Sequence, residues 1–201
     1  MLFNSASSLI RGIFCKSSSA SNSDTTAPLI SEDYRRMQQT LHENPNYGVA
    51  SVAYAPIVAQ VMKAVSATEL LDYGAGKGRL GMTLRKQMQQ PLTIHHYDPA
   101  ISEWSAPAAP CAFVACIDVL EHIEPHLIDN VLDDLQRVTA RIGVFTVHTG
   151  PAVKVLTDGR NAHLIQQPPA WWLSKLMLRF ELLQFSRMPQ GFWVSVEARP
   201  H

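Results

Sequence analysis

The apolar positions of this chain fall into blocks whose period switches between that of a helix and that of a strand. Residues 16–28, KSSSASNSDTTAP, carry no such pattern and are too polar to bury a face. Ser31 opens the first periodic segment. Its hydroxyl suits an N-cap, and Glu32 and Asp33 stand at the positive end of the helix dipole. That helix is expected to reach about His42. NPNYG at 44–48 reads as a turn. A second helix is expected near 53–65, with Pro56 in its first turn.

From residue 68 strands and helices alternate. Glu69–Tyr73 is an apolar strand, Leu80–Gln89 a helix, and Leu92–Tyr97 a second strand. Phe113–Ile117 is apolar without a break, as in a strand covered on both faces. Leu127, Ile128, Val131, Leu132, Leu135 and Val138 form one helical stripe. Ile142–His148 is the next strand. Pro168 and Pro169 open a helix with Trp172, Leu173, Leu176, Met177 and Phe180 on one face, and Glu181–Arg187 and Phe192–Ala198 pair through MPQG. The alternation predicts a doubly wound α/β fold. Its sheet is mainly parallel, of seven strands or six, with helices on both faces and a C-terminal antiparallel hairpin strand. The expected organisation is an N-terminal arm over 1–30, disordered or targeting, and one folded domain over 31–201.

Composition narrows the partners. The 201 residues carry no net charge, so nucleic acid is not an expected partner. Cys15, Cys111 and Cys116 are too few for a disulfide framework and contain no CxxC pair, which points to a reducing compartment. No apolar run approaches the roughly 18 residues of a membrane span. Arg11, Lys16 and many serines, with no acid before Asp24, leave two readings of the N-terminus: a plain polar arm in a cytoplasmic protein, which is favoured, or an organelle transit peptide over residues 1–28. Oligomeric state is not legible.

The chemistry concentrates in LLDYGAGKG, residues 70–78. An apolar strand runs into Gly74-x-Gly76-x-Gly78, and a helix follows. Without Cβ atoms such a turn is tight and lets backbone approach a ligand. In doubly wound sheets it lies at the carboxyl end of a strand, where ligands bind. Twenty residues after Gly78, Asp98 ends the second strand, and a carboxylate there can accept from both ribose hydroxyls of a nucleoside. Dinucleotide folds use G-x-G-x-x-G, but here Arg79 takes the third glycine position.

The run resembles the class I, Rossmann-like S-adenosylmethionine-dependent methyltransferases, whose glycine motif residues 70–78 match with Tyr73 at the fourth place. CIDVLEHI, residues 116–123, is similar to the fourth-strand motif of that family's small-molecule branch. The resemblance spans about residues 68–198. It implies S-adenosyl-L-methionine as cofactor, with Asp72, Gly74, Ala75, Gly76 and Gly78 at its methionine part and Asp98 and Pro99 at its ribose. It also implies that Asp118, Val119 and the Glu121-His122 pair line the methyl-donor pocket. One departure stands out: the chain between Asp98 and Phe113 is too short for the usual third strand and its adenine contact, which leaves Trp104, Ser105 or nearby backbone for that role.

A general base helps where the acceptor carries a proton. His122, after the fourth-strand motif, is the first candidate; His163 and His148 are the others. Residues 157–163, TDGRNAH, concentrate polar groups in a loop at the active end of the sheet, so Arg160 and Asn161 are expected to bind acceptor. Tyr47, with Gly48, suits a lid, and Trp171 suits the acceptor pocket. His148 with Asp118, Asn161 or His163 would make a metal set, but no tight ligand spacing supports one, and no metal is assigned. The expected activity is methyl transfer to oxygen or nitrogen of a small-molecule acceptor. The competing readings are an NAD-dependent oxidoreductase, disfavoured by Arg79, and a non-catalytic interaction module.

Overall fold

The computed structural model describes residues 27–45 and 47–199. The reading of residues 1–26 as polar arm or transit peptide, and Cys15, lie outside the described residues. α1 (Glu32–Glu43) begins at Ser31, whose Oγ accepts the Tyr34 N–H as an N-cap. α2 (Ala50–Ala64) starts three residues before the expected position, so Pro56 lies inside the helix rather than in its first turn. β1 (Glu69–Tyr73) leads through the glycine turn into α3 (Arg79–Gln87), and β2 (Thr93–Tyr97) follows. β3 (Cys111–Ile117), α4 (Ile128–Val138) and β4 (Thr139–His148) come next; β4 begins directly at the end of α4 rather than at Ile142. α5 (Pro169–Leu176) stops one turn short of the expected end, because Phe180 opens β5 (Phe180–Met188), which pairs with β6 (Gly191–Ala198).

Six strands form one sheet in the order β2-β1-β3-β4-β6-β5. β2, β1, β3 and β4 are parallel, while β6 runs antiparallel to β4 and to β5. Six, not seven, follows from the short connection after Asp98. It folds into a 3-10 turn at Ser102–Trp104 whose Trp104 carbonyl accepts the Asp98 N–H at 3.0 Å, closing back on the end of β2 instead of adding a strand.

Successive strand residues point to opposite faces, which is why the central strands are apolar throughout. Leu70, Phe113 and Val144 pack under α2 and α3 with Met62, Leu80 and Leu84. Leu71, Val114 and Phe145 pack on the other face with Leu132, Leu135 and Trp172. Each such side chain contributes about 1.5–3 kcal/mol on burial. A smaller cluster of Tyr34, Leu156 and Ala162, with Ile30, Met37 and Leu41 against it, fastens α1 to the loop after β4. The carboxyl ends of β1 to β4 therefore open at one edge, with α1 and this loop beside them.

Candidate functional site

At that edge lies an open cleft lined on one side by the tips of the parallel strands and on the other by α1. One end is built by the tips of β1 and β2. Gly74 and Ala75 donate backbone N–H groups to the Tyr97 carbonyl at 2.8 and 3.0 Å, which locks the glycine turn against β2. Gly74 sits at φ +77°, and a Cβ there would meet the Val119 side chain at 2.4 Å. Turn conformation and the approach of Val119 both require glycine. Asp98, 7% exposed, accepts the Gly76 N–H at 2.8 Å on one carboxylate oxygen and the Ala100 N–H at 2.9 Å on the other. Each oxygen keeps a second lone pair for a ligand. Asp72, Gly74, Ala75, Gly76, Asp98 and Pro99 all line this end of the cleft. Gly78 does not; at φ +64° it is the N-cap of α3, packed under Trp104 and His96.

Asp72 is 3% exposed, with His96 Nδ1 3.5 Å away. Burial raises its pKa, opposed by His96. His96 in turn lies against Trp104, ring centroids 4.5 Å apart. That placement sets Trp104 against Gly78, behind the glycine turn, and it does not line the cleft.

The other end is built by residues after β3. Asp118, at φ +60°, donates its N–H to Thr146 Oγ1 at 2.8 Å. This left-handed position is uncommon for a residue with a Cβ and clusters at functional sites. Asp118, Val119 and His122 line the cleft. His122 Nδ1 lies 2.8 Å from the Ala162 carbonyl, which can only accept. The ring proton is therefore on Nδ1 and the free lone pair on Nε2. Burial holds this imidazole down at a pKa of about 4, against the raising influence of Asp118, so it is neutral at physiological pH. His163, buried, lies edge-on to His122 with centroids 4.7 Å apart, and its Nδ1 is committed to the Gly150 carbonyl at 2.7 Å. Burial lowers its pKa as well. His148 packs on His163 at 4.6 Å; its Nε2 bonds Gln190 Oε1 at 3.0 Å and its Nδ1 accepts the Gly150 N–H at 3.2 Å. With both nitrogens committed, His148 supports the pocket without lining it.

Other expectations are relocated. Glu121 turns inward rather than lining the pocket: it is fully buried, and its Oε1 accepts the His148 N–H at 2.5 Å. Burial, with the Asp118 charge adding to it, pushes its carboxyl well above the usual range. Arg160 is exposed, paired with Asp158 at 2.6 Å and set beside Met37 of α1, and it does not line the cleft. Asn161 binds the Ala152 backbone N–H and carbonyl at 2.9 and 2.8 Å, so it staples the loop that carries His163. Trp171 packs at right angles on Trp172 under the Lys175 ammonium and does not reach the cleft.

Sequence reasoning missed the roof. Tyr34, Gln38 and His42 of α1 line the cleft together with the expected Tyr47 and Gly48. Tyr47 Oη donates to Gln38 Oε1 at 3.1 Å, Gln38 Nε2 to Tyr34 Oη at 2.6 Å, and Tyr34 Oη to the His122 carbonyl at 2.6 Å. Ser31 donates its N–H and hydroxyl to the buried Glu124 carboxylate at 2.8 and 2.7 Å. Toward the other end of the cleft, Arg35 donates to the Pro99 carbonyl. His42 lies over Gly76, with a buried Nδ1 that has no protein partner. The signal was in the sequence: Tyr34, Gln38 and His42 recur every four residues, putting a polar stripe on the face a helix would normally bury.

No protein-family model matches the chain, and no curated protein matches it in sequence. Solved structures do. A Burkholderia thailandensis 1,6-didemethyltoxoflavin-N1-methyltransferase, crystallised with 1,6-didemethyltoxoflavin and S-adenosylhomocysteine, superposes with TM-score 0.61 at 13% identity over 87% of this chain and 93% of that one. A magnesium protoporphyrin IX methyltransferase from Synechocystis with bound S-adenosylhomocysteine gives 0.57 at 11% identity, over 84% and 95%. An O-methyltransferase family protein from Burkholderia thailandensis gives 0.56 at 10%, over 82% and 58%. The chain has the class I S-adenosylmethionine-dependent methyltransferase fold. No described helix is long and apolar enough to cross a membrane.

Proposed function

We propose that this protein transfers the methyl group of S-adenosylmethionine to an oxygen or nitrogen atom of a small-molecule acceptor. The observation that carries the reading is one cleft with two chemically distinct ends. Asp98 and the glycine turn stand at one end, and Asp118 and the neutral His122 at the other. The cradle of Gly74 to Gly76, the spare lone pairs on Asp98 and the orphaned His42 Nδ1 fit a charged nucleoside. Asp98 would hold the ribose hydroxyls, and the glycine turn with Asp72 the methionine part. The bound cofactor would supply an electrophilic sulfonium methyl.

The rest is the chain's own work. The roof of Tyr34, Gln38 and Tyr47 closes the acceptor end and fixes the acceptor against His122, which favours in-line attack by positioning. His122, with its Nε2 lone pair free and His163 behind it, activates the acceptor O–H or N–H by drawing on its proton. That the similar methyltransferases were crystallised with S-adenosylhomocysteine supports the choice of nucleoside.

The test is ligand-linked stability. At 100 times its dissociation constant, S-adenosylhomocysteine should stabilise the fold by about 2.7 kcal/mol. For a chain of this size that raises Tm by roughly 5–10 °C. NADH should leave Tm unchanged. Stabilisation by NADH alone would turn the reading to an oxidoreductase, and a response to neither would turn it to a non-catalytic module.

A further inference from the structure

We propose that Asp118, His122 and His163 form a binding site for one divalent first-row transition-metal ion at the acceptor end of the cleft. The candidate ligand atoms of these three residues lie within 4.8 Å of one another. They come from two separate segments: the turn after β3 supplies Asp118 and His122, and the loop after β4 supplies His163. Convergence is therefore a product of tertiary structure, which is why no ligand spacing is visible in the sequence.

The surroundings orient the set as a metal would need it. Both histidines commit Nδ1–H to a backbone carbonyl, His122 to Ala162 and His163 to Gly150, which leaves Nε2 of each as an unprotonated donor. Hydrogen bonding of the remote ring nitrogen is what fixes ring and tautomer in metal-ligating histidines. Asn161 holds the backbone on both sides of the loop, through Ala152 and through the His163 N–H at 2.9 Å. Asp118 is held at φ +60°, with its N–H on Thr146. The Asp118 carboxylate and two imidazole lone pairs form an electron-rich cluster, and no lysine or arginine is ion-paired with any of the three residues among the described residues. A dication answers that charge.

Two imidazoles and one carboxylate suit zinc, cobalt, iron or manganese better than the all-oxygen sites of calcium and magnesium. With bonds of about 2.1 Å the ligand atoms would stand roughly 3–3.5 Å apart, so the site closes slightly on binding. Three protein ligands leave positions open toward the cleft, as in catalytic rather than structural sites. This deepens the proposed transfer and rests on it in one respect only: with His122 Nε2 bound to the ion the imidazole no longer draws on the acceptor's proton, and an acceptor hydroxyl bound to the cation would lose its proton to solvent instead.

The experiment uses the untagged full chain, stripped with chelator and titrated with Co²⁺ followed by visible absorption, and with Zn²⁺ by calorimetry. One equivalent should bind, with cobalt bands of imidazole ligation. H163A and D118N should each weaken the ion on the order of 100-fold, whereas H126A, at an exposed histidine outside the cluster, should leave it unchanged. Far-UV circular dichroism and urea-denaturation midpoints verify that the variants are folded. No saturable binding by the unaltered chain, or binding that survives H122A/H163A together, overturns the site. Because the cobalt spectrum is read from the unaltered chain, the result stands even if a variant does not fold. It is also separate from the nucleoside response: cofactor binding without metal binding removes only the metal site.

Discussion

At the scale of single residues, Asp98 has two tasks that pull against each other in mutagenesis. Its oxygens cap the backbone of Gly76 and Ala100 as well as facing the cleft, so alanine would strip two buried donors of their acceptor. Asn is the milder probe, since it keeps an acceptor for one of the two N–H groups and turns an amide NH2 toward the other, so its urea midpoint is read beside its affinity. D98N should weaken S-adenosylhomocysteine binding by about 10–100-fold in calorimetry, because charge-assisted hydrogen bonds are worth about 1.5–3 kcal/mol. Unchanged affinity would remove Asp98 from the ribose. Asp72 yields a prediction in pH. Its folded-state pKa is raised by burial, so its contribution to stability is complete below the ordinary carboxyl range and is lost as pH rises through the raised value. Urea titrations of D72N should therefore gain on the unaltered chain as pH climbs from about 4 toward neutrality. Parallel curves would contradict the burial argument.

At the scale of elements, what was legible depended on whether a residue's partner was local. The Ser31 cap, the helical stripe of α4 and the unbroken apolar run of β3 follow from neighbours a few positions away, and they appear where expected. The start of β4 at Thr139 and the end of α5 before Phe180 depend on ladder partners far along the chain, such as Cys111 opposite Thr139 and Ala198 opposite Phe180. Periodicity cannot see those. The site divides in the same way. The glycine turn and Asp98 were readable because they sit at strand tips, but Arg160 spends its guanidinium on Asp158, and Asn161 its amide on Ala152. α1 was readable as a helix and unreadable as a roof. Its docking is testable: Tyr34→Phe deletes the hydroxyl that joins Gln38 to the His122 carbonyl and should cost about 1–2 kcal/mol in chemical denaturation. A neutral result would mean that the apolar cluster alone holds α1.

At the scale of the molecule, one sheet serves two cores, and Phe113 and Val114 anchor them from opposite faces of the same strand. Phe113→Ala should cost about 3–5 kcal/mol and do so without splitting the transition, since β3 pairs with β1 and β4 at the centre of the sheet. Coincident fluorescence and circular dichroism midpoints would support that; separated midpoints would mean that the faces unfold independently. The bonds of α1 have a consequence for traffic through the cleft. Arg35 reaches to Pro99 on the nucleoside side, while Ser31 and Tyr34 reach to Glu124 and His122 on the acceptor side. A helix pinned at both banks behaves as a bar across a doorway. On the proposed function, nucleoside and product would both have to pass this one helix on leaving.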